Sequence, residues 1–166
     1  IGDGLLYGAN LFEENDERQK VIVLLTDGEA NRGIDPIEAI KYIKEKNLDL
    51  IIDSAGTGHW HIGEAPCENS IKVGKLNGVY ISKQKAQQVK KSDFKTFDLI
   101  VGLDDSNISN LKNLGCKNPL KLGDFGFNGE CVPDPYFFDG FEGFDKVFEM
   151  IDICVRNLID EKVKSA

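Results

Sequence analysis

The sequence predicts an α/β protein: a three-layer α/β/α sandwich on a central parallel sheet, with an extra helix ahead of its first strand. Short β-branched apolar runs alternate with helical patterns almost throughout. One of them, Val21-Ile22-Val23-Leu24-Leu25, is uninterrupted, which is how a strand buried on both faces reads. The length, 166 residues, suits one core and leaves little room for a second.

In order along the chain, Leu5, Leu6, Ala9, Leu11 and Phe12 crowd one side of a helical wheel, and a polar stretch over 13–20 follows them. The strand at 21–25 comes next and a loop over 26–33 after it. Asp35-Pro36-Ile37-Glu38 then starts a helix, with an N-cap, a proline at the first helical position and a capping-box glutamate. Ala39, Ile40 and Ile43 carry that helix toward Asn47. A second strand over 48–52 runs into the polar turn Asp53-Ser54-Ala55-Gly56-Thr57-Gly58. Further strands are expected over 79–82, 99–103 and 119–122, and helices over 67–77, 105–114 and 141–162. Right-handed crossovers assemble such an order into a parallel sheet whose ligands bind at the carboxyl ends of the strands. The longest stretch without a period, 125–143, is rich in Gly, Pro, Asp and aromatics, as a functional loop would be.

Composition narrows the partners. Twenty basic against 28 acidic side chains leave a net charge of −8, which repels nucleic acid and anionic membrane. The one basic cluster, Lys83, Lys85, Lys90, Lys91 and Lys95, lacks the repeated aromatics that nucleic-acid stacking needs and reads as solvated surface. No apolar run is long enough to cross a bilayer, and no signal-peptide pattern opens the sequence. Cys67, Cys116, Cys131 and Cys154 form no Cys-x-x-Cys pair, so reduced thiols and a cytoplasmic location are expected, with no zinc and no other cofactor. His59 and His61 flank Trp60; two histidines alone do not hold a metal, and a cleft-edge role suits them better.

Several spaced motifs carry a family resemblance. They are DSAGT at 53–57, WHIGEAP at 60–66, SDFKTFDLIVGLDDSN at 92–107, LGDF at 122–125, VPDPY at 132–136 and GFDKVFEMID at 143–152. From about residue 50 to 166 the chain resembles the low-molecular-weight protein tyrosine phosphatases. The resemblance implies a four-stranded parallel sheet of flavodoxin-like, Rossmann-like kind. It also implies a Cys-x5-Arg-Ser loop after the first strand, whose amides and arginine hold the phosphoryl oxygens while the thiolate attacks phosphorus. An aspartate in the VPDPY-type loop then protonates the leaving phenolate. Asp134 matches that general acid, and Trp60 and Tyr136 match aromatic walls of the substrate cleft.

Residues 1–47 look different. IGDGLLYGANLF, VIVLLTDGEANRG and DPIEAIKYIKEKN are similar to a helix, a strand with its loop, and a helix of a von Willebrand factor A domain. In that family the TDG aspartate, here Asp27, is a ligand of magnesium. The remaining ligands are missing, so a magnesium site would be incomplete. The expectation is therefore one hybrid domain over 1–166, with a von Willebrand-like segment at 1–47 and a phosphatase-like segment at 48–166. With Arg32 laid on the phosphatase arginine, Thr26 stands where the cysteine belongs, and none of the four cysteines lies in the loop. Asp27 and Glu29 add negative charge there, and Ile34-Asp35 lengthens the loop.

The function expected on these grounds is an engineered or recombined chimera without phosphatase activity, in which neither Thr26 nor Thr26→Cys gives useful turnover. Two alternatives stand beside it. One is a natural pseudophosphatase that binds phosphate, sulfate or phosphotyrosine-like anions through Arg32 and the loop amides. The other is a divalent-metal adhesion module around Asp27. Leu5, Leu6, Leu11 and Phe12 need cover, which self-association through the N-terminal helix would supply.

Overall fold

The computed structural model describes residues 19–26, 48 and 50–163, and over 19–26 it describes the course of the backbone. Four parallel strands form one sheet: β1 (Gln19–Thr26), β2 (Leu50–Gly56), β3 (Leu99–Gly102) and β4 (Leu120–Lys121), in the order β2-β1-β3-β4. The uninterrupted apolar run lies in β1 because β1 is internal. Its Val21 stands opposite Ile52 of β2 on one side and Leu99 of β3 on the other.

Among the described residues four helices accompany the sheet: α1 (Glu68–Leu76), α2 (Asp93–Thr96), α3 (Asp105–Leu114) and α4 (Glu142–Lys162). Asp104 caps α3 by accepting the Asn107 amide at 2.6 Å, and Gly115 closes it at φ +102°, a backbone conformation that favours glycine. The longest, α4, presents Phe144, Val147, Ile151, Cys154, Val155 and Leu158 along one buried stripe.

Alternation along each strand divides the apolar residues between two cores. Leu50 and Val101 join Val73 of α1, Leu122 and the α4 stripe. Their strand neighbours Ile51 and Ile100 join Ala55, Val89, Phe97, Leu111 of α3 and Cys116. The expected three-layer sandwich on a parallel sheet is thus the observed architecture. The N-terminal helix and the helix begun at Asp35-Pro36 lie outside the described residues.

The element boundaries differ from expectation in instructive places. Asp53 to Gly56, read as a turn, continues β2, because this stretch pairs with β1 from Ile22 to Thr26. The run over 79–82 alternates buried Val79 and Ile81 with exposed Tyr80, yet it is no strand and packs on α1 through the Val79 amide, 2.8 Å from the Gly74 carbonyl. α2 is too short to show a period and was not anticipated.

Candidate active site

In a parallel sheet all carboxyl ends share one edge, and among the described residues the end of β1, the segment after β2 and the Asp134 segment meet it. β1 ends at Thr26, which stands opposite Gly56, the last residue of β2, across a register shift between Leu24 and Thr26. β3 runs through Leu103 into the cap of α3. The Leu103 carbonyl accepts the Val132 amide at 2.9 Å, drawing the VPDPY segment to the same edge.

Asp134 sits half-buried in that segment, between Pro133 and Pro135, and caps a 3₁₀ turn, Pro135–Phe137. Its Oδ1 accepts the Tyr136 amide at 2.9 Å, while its carbonyl accepts Phe137 N–H at 3.0 Å. A proline on either side limits the backbone to few conformations and so aims the carboxylate. Tyr136 is 51% exposed and meets Phe144 of α4 edge-on, with ring centroids 5.2 Å apart. Beneath this turn lies Gly143, where an added Cβ would stand 2.5 Å from the Pro135 carbonyl oxygen and 2.6 Å from Phe138 Cβ.

Trp60 projects from the segment after β2, 66% exposed, with its ring stacked on His59 at 5.0 Å. His61 turns instead to Glu64, Nδ1 to Oε2 at 2.8 Å. Among the described residues there is no group of three or more His, Cys, Asp or Glu able to hold a metal ion.

Two polar residues central to this edge had no assigned role in the sequence. Asn107 is fully buried; its Oδ1 accepts the Leu103 amide at 3.1 Å, and its Nδ2 has no partner among the described residues. An Asp followed three residues later by Asn at a strand-to-helix junction was the available signal, since Asp104 caps the helix on which Asn107 rides. Gln87 is the second. Its Nε2 donates to Asp53 Oδ1 and to the Ser54 carbonyl, both at 2.7 Å.

Burial pushes the Asp53 carboxyl above its ordinary value, against the lowering effect of the Ser54 amide and the Gln87 side chain. The folded state therefore holds the Asp53 proton more tightly than the unfolded state. Stability from this group is full below the ordinary pKa of 3.8 and is lost as pH rises through the raised value. Asp53→Asn is expected to gain stability relative to the parent between pH 4 and pH 7. Urea unfolding at the two pH values checks this, and a difference that stays constant or shrinks contradicts it.

The cysteines are dispersed. Cys116 and Cys154 are buried, and burial raises both thiols, Cys154 to about 11, so neither supplies a thiolate at neutral pH. Cys67 caps α1, with its Sγ 3.4 Å from the Ser70 amide. Cys131 is exposed at the start of the Asp134 segment, 3.6 Å from Asp105, which also binds Lys121 at 2.7 Å. Asp27 and Arg32, expected to contribute to a magnesium or an anion site, lie outside the described residues, as does the helix expected to mediate self-association. Of Thr26 the strand position is described.

The sequence model of "Low molecular weight phosphotyrosine protein phosphatase" matches residues 21–166. "Low molecular weight phosphotyrosine protein phosphatase 1" of Drosophila melanogaster is 28% identical over 153 residues, 88% of this chain and 98% of that protein. "Low molecular weight protein-tyrosine-phosphatase PtpA" of Staphylococcus aureus is 36% identical over 129 residues, 75% of this chain and 80% of that one. Among solved structures, a protein tyrosine phosphatase from Entamoeba histolytica with Hepes in its active site superposes with a TM-score of 0.76 at 30% identity, covering 86% of this chain and 96% of that chain.

These findings correct the hybrid reading. The match begins at residue 21, so β1 belongs with the rest of the phosphatase sheet, and nothing supports a von Willebrand fragment or a chimera. Structurally, β1 is the strand that β2 and β3 both pair with. The inactive scaffold, the pseudophosphatase and the metal-dependent adhesion module fall with it, because the relatives bear the names of protein tyrosine phosphatases. The expectation that the chain is no enzyme was drawn from one loop, whereas the match extends over the whole sheet and the acid segment. A residue type at one position decides which atom attacks; it does not decide the class of reaction. No helix among the described residues is long and apolar enough to cross a membrane.

Proposed function

The chain belongs to the low-molecular-weight phosphotyrosine protein phosphatase family, and on that premise we propose that it hydrolyses aryl phosphate monoesters of the phosphotyrosine class. The observation that carries the reading is Asp134. It is held between two prolines with Oδ1 bound to the Tyr136 amide, at the carboxyl edge where β1, β2 and β3 end. Its role is to give a proton to the departing phenolate as the bond from phosphorus to the phenol oxygen breaks. Tyr136 and Trp60 offer exposed aromatic faces suited to a phenyl ring.

We place the attacking group where β1 ends, at Thr26. No cysteine precedes Cys67 in the sequence, and against the expectation that Thr26 does not act, we assign the attack to an oxygen, the Thr26 hydroxyl, because the family match calls for an active phosphatase. A hydroxyl needs a base to take its proton as the bond from Oγ1 to phosphorus forms, and Asp27 and Glu29 are the nearest carboxylates in sequence; water then hydrolyses the phosphothreonine, releasing phosphate and restoring the hydroxyl. Arg32, six residues after Thr26 in the sequence, is the cation we assign to the phosphoryl oxygens.

Purified chain incubated with p-nitrophenyl phosphate and with a phosphotyrosine peptide tests the reading. Release of phosphate is expected, sensitive to vanadate, lost in Thr26→Ala and retained when all four cysteines are replaced by serine. Phosphate release that survives Thr26→Ala and disappears with the cysteines removes the oxygen nucleophile. No release from either substrate overturns the proposed function.

A further inference from the structure

We propose that the lysine-bearing strap over 82–95 is a docking surface for acidic segments of protein substrates. The inference rests on the phosphatase reading for its purpose but not for its physics.

The strap is fastened to the edge of the active site at several points. Gly56, the last residue of β2, donates to the Gln87 carbonyl at 2.8 Å and accepts the Val89 amide at 2.9 Å. Gln87 reaches Asp53 and Ser54, and Gln88 Nε2 reaches the Thr57 carbonyl at 3.3 Å. The same strap binds the segment that carries Trp60: Gly63 donates to the Ala86 carbonyl at 2.8 Å, and Ala86 donates to the Glu64 carbonyl at 2.9 Å. Its position relative to the end of β2 and to the Trp60 segment is therefore set by backbone bonds, not by the surface side chains.

Its side chains divide by kind. Ile81 and Val89 are buried, and Phe94 packs against the core that holds Ile100 and Leu111. Lys83, Lys85, Lys90, Lys91 and Lys95 are all exposed. The one acid within the strap, Asp93, has its Oδ2 on the Lys90 amide at 2.7 Å. In a chain of net charge −8, this concentrates positive charge on one segment beside the carboxyl end of β2.

Charge complementarity selects the occupant. A short acidic stretch of a protein meets only the strap, whereas a long polyanion or an anionic bilayer also meets the negative remainder of the molecule. Nucleic acid would further need aromatic faces interleaved with the lysines, and Phe94 packs against the core while the exposed Tyr80 and Trp60 lie outside the lysine run. A peptide whose phosphotyrosine lies against Trp60 would carry its neighbouring acids toward the lysines, since one strap joins both.

The test uses two readouts. Fluorescence anisotropy follows a labelled Glu/Asp-rich peptide without phosphate. Steady-state kinetics compare an acidic phosphotyrosine peptide, a neutral one and p-nitrophenyl phosphate. The variants are Lys85→Glu/Lys90→Glu/Lys91→Glu and the milder triple Lys→Gln at the same positions. At low salt the charge reversal is expected to weaken peptide binding about tenfold and to raise KM for the acidic substrate by a similar factor, with high salt abolishing the difference. Turnover of p-nitrophenyl phosphate and of the neutral peptide stays unchanged, and the Gln triple shows a smaller shift in the same direction. Peptide binding that is absent, or equal in parent and variants, overturns the inference. So does binding of a DNA oligonucleotide or of phosphatidylserine vesicles where the acidic peptide fails. Peptide binding that responds to the variants in a chain that releases no phosphate sustains the docking surface and sinks the phosphatase reading alone.

Discussion

Gly123→Ala is expected to lower the unfolding free energy by about 3 kcal/mol, toward the upper end of what overpacking costs. The residue is buried at the middle of a 3₁₀ turn, Leu122–Asp124, and an added Cβ would fall on the backbone of Glu130, oxygen, carbon and nitrogen together. Backbone cannot swing aside as the end of a flexible side chain can. Nor is the segment free to drift: the Gly123 carbonyl accepts the amides of Phe127 and Gly129, each at 3.0 Å. Opening this loop moves Glu130, and Glu130 leads through Cys131 to Val132, whose bond to Leu103 places Asp134. Chemical denaturation should show the loss of stability. A parent-like midpoint would mean that the loop relaxes at no cost.

Asp134→Asn is expected to reduce kcat about 10²- to 10³-fold for a phenolic substrate with a poor leaving group, the usual range for losing a general acid. Asparagine keeps the shape and can still accept the Tyr136 amide, so the turn at Pro135–Phe137 should persist. What it lacks is a transferable proton. The loss should therefore shrink as the leaving phenol becomes more acidic, because such a phenolate departs without help. A uniform loss across leaving groups would point to a misplaced loop, and no loss would remove Asp134 from the reaction.

Much of this fold was legible because burial on two faces leaves a simple mark. Val21 to Leu25 read as an internal strand, and β1 is internal. The extent of α3 was equally local: the helix expected over 105–114 is observed, capped by Asp104 and Gly115. What stayed hidden depended on partners far along the chain. Asp53 and Ser54 look like turn residues, yet they are drawn into β2 by the ladder with β1 and bonded by Gln87, more than thirty residues on. The alternation at Val79 and Ile81 suggested a strand, but Val79 bonds the Gly74 carbonyl of α1 instead of a neighbouring strand. Asp134, Trp60 and Tyr136 were proposed through motif resemblance, and composition alone would not have singled them out. The error over function came from giving one loop more weight than the sheet around it. A missing side chain type is conspicuous in a sequence, whereas the continuity of β1 with β2 and β3 shows only in the register.

The central place of β1 also governs the order in which the chain can fold. Its neighbour β3 begins only at Leu99, and the face of β3 that Val101 occupies is covered by α4, whose buried residues extend to Ile159. During synthesis the strands that precede Leu99 thus wait with apolar surface uncovered, since the helix that buries it is made only after β3 and β4. Contacts this distant in sequence slow folding and prolong the exposure of aggregation-prone intermediates. Shielding of the nascent chain, more than the equilibrium stability of the finished sandwich, would then set how much native protein a cell obtains.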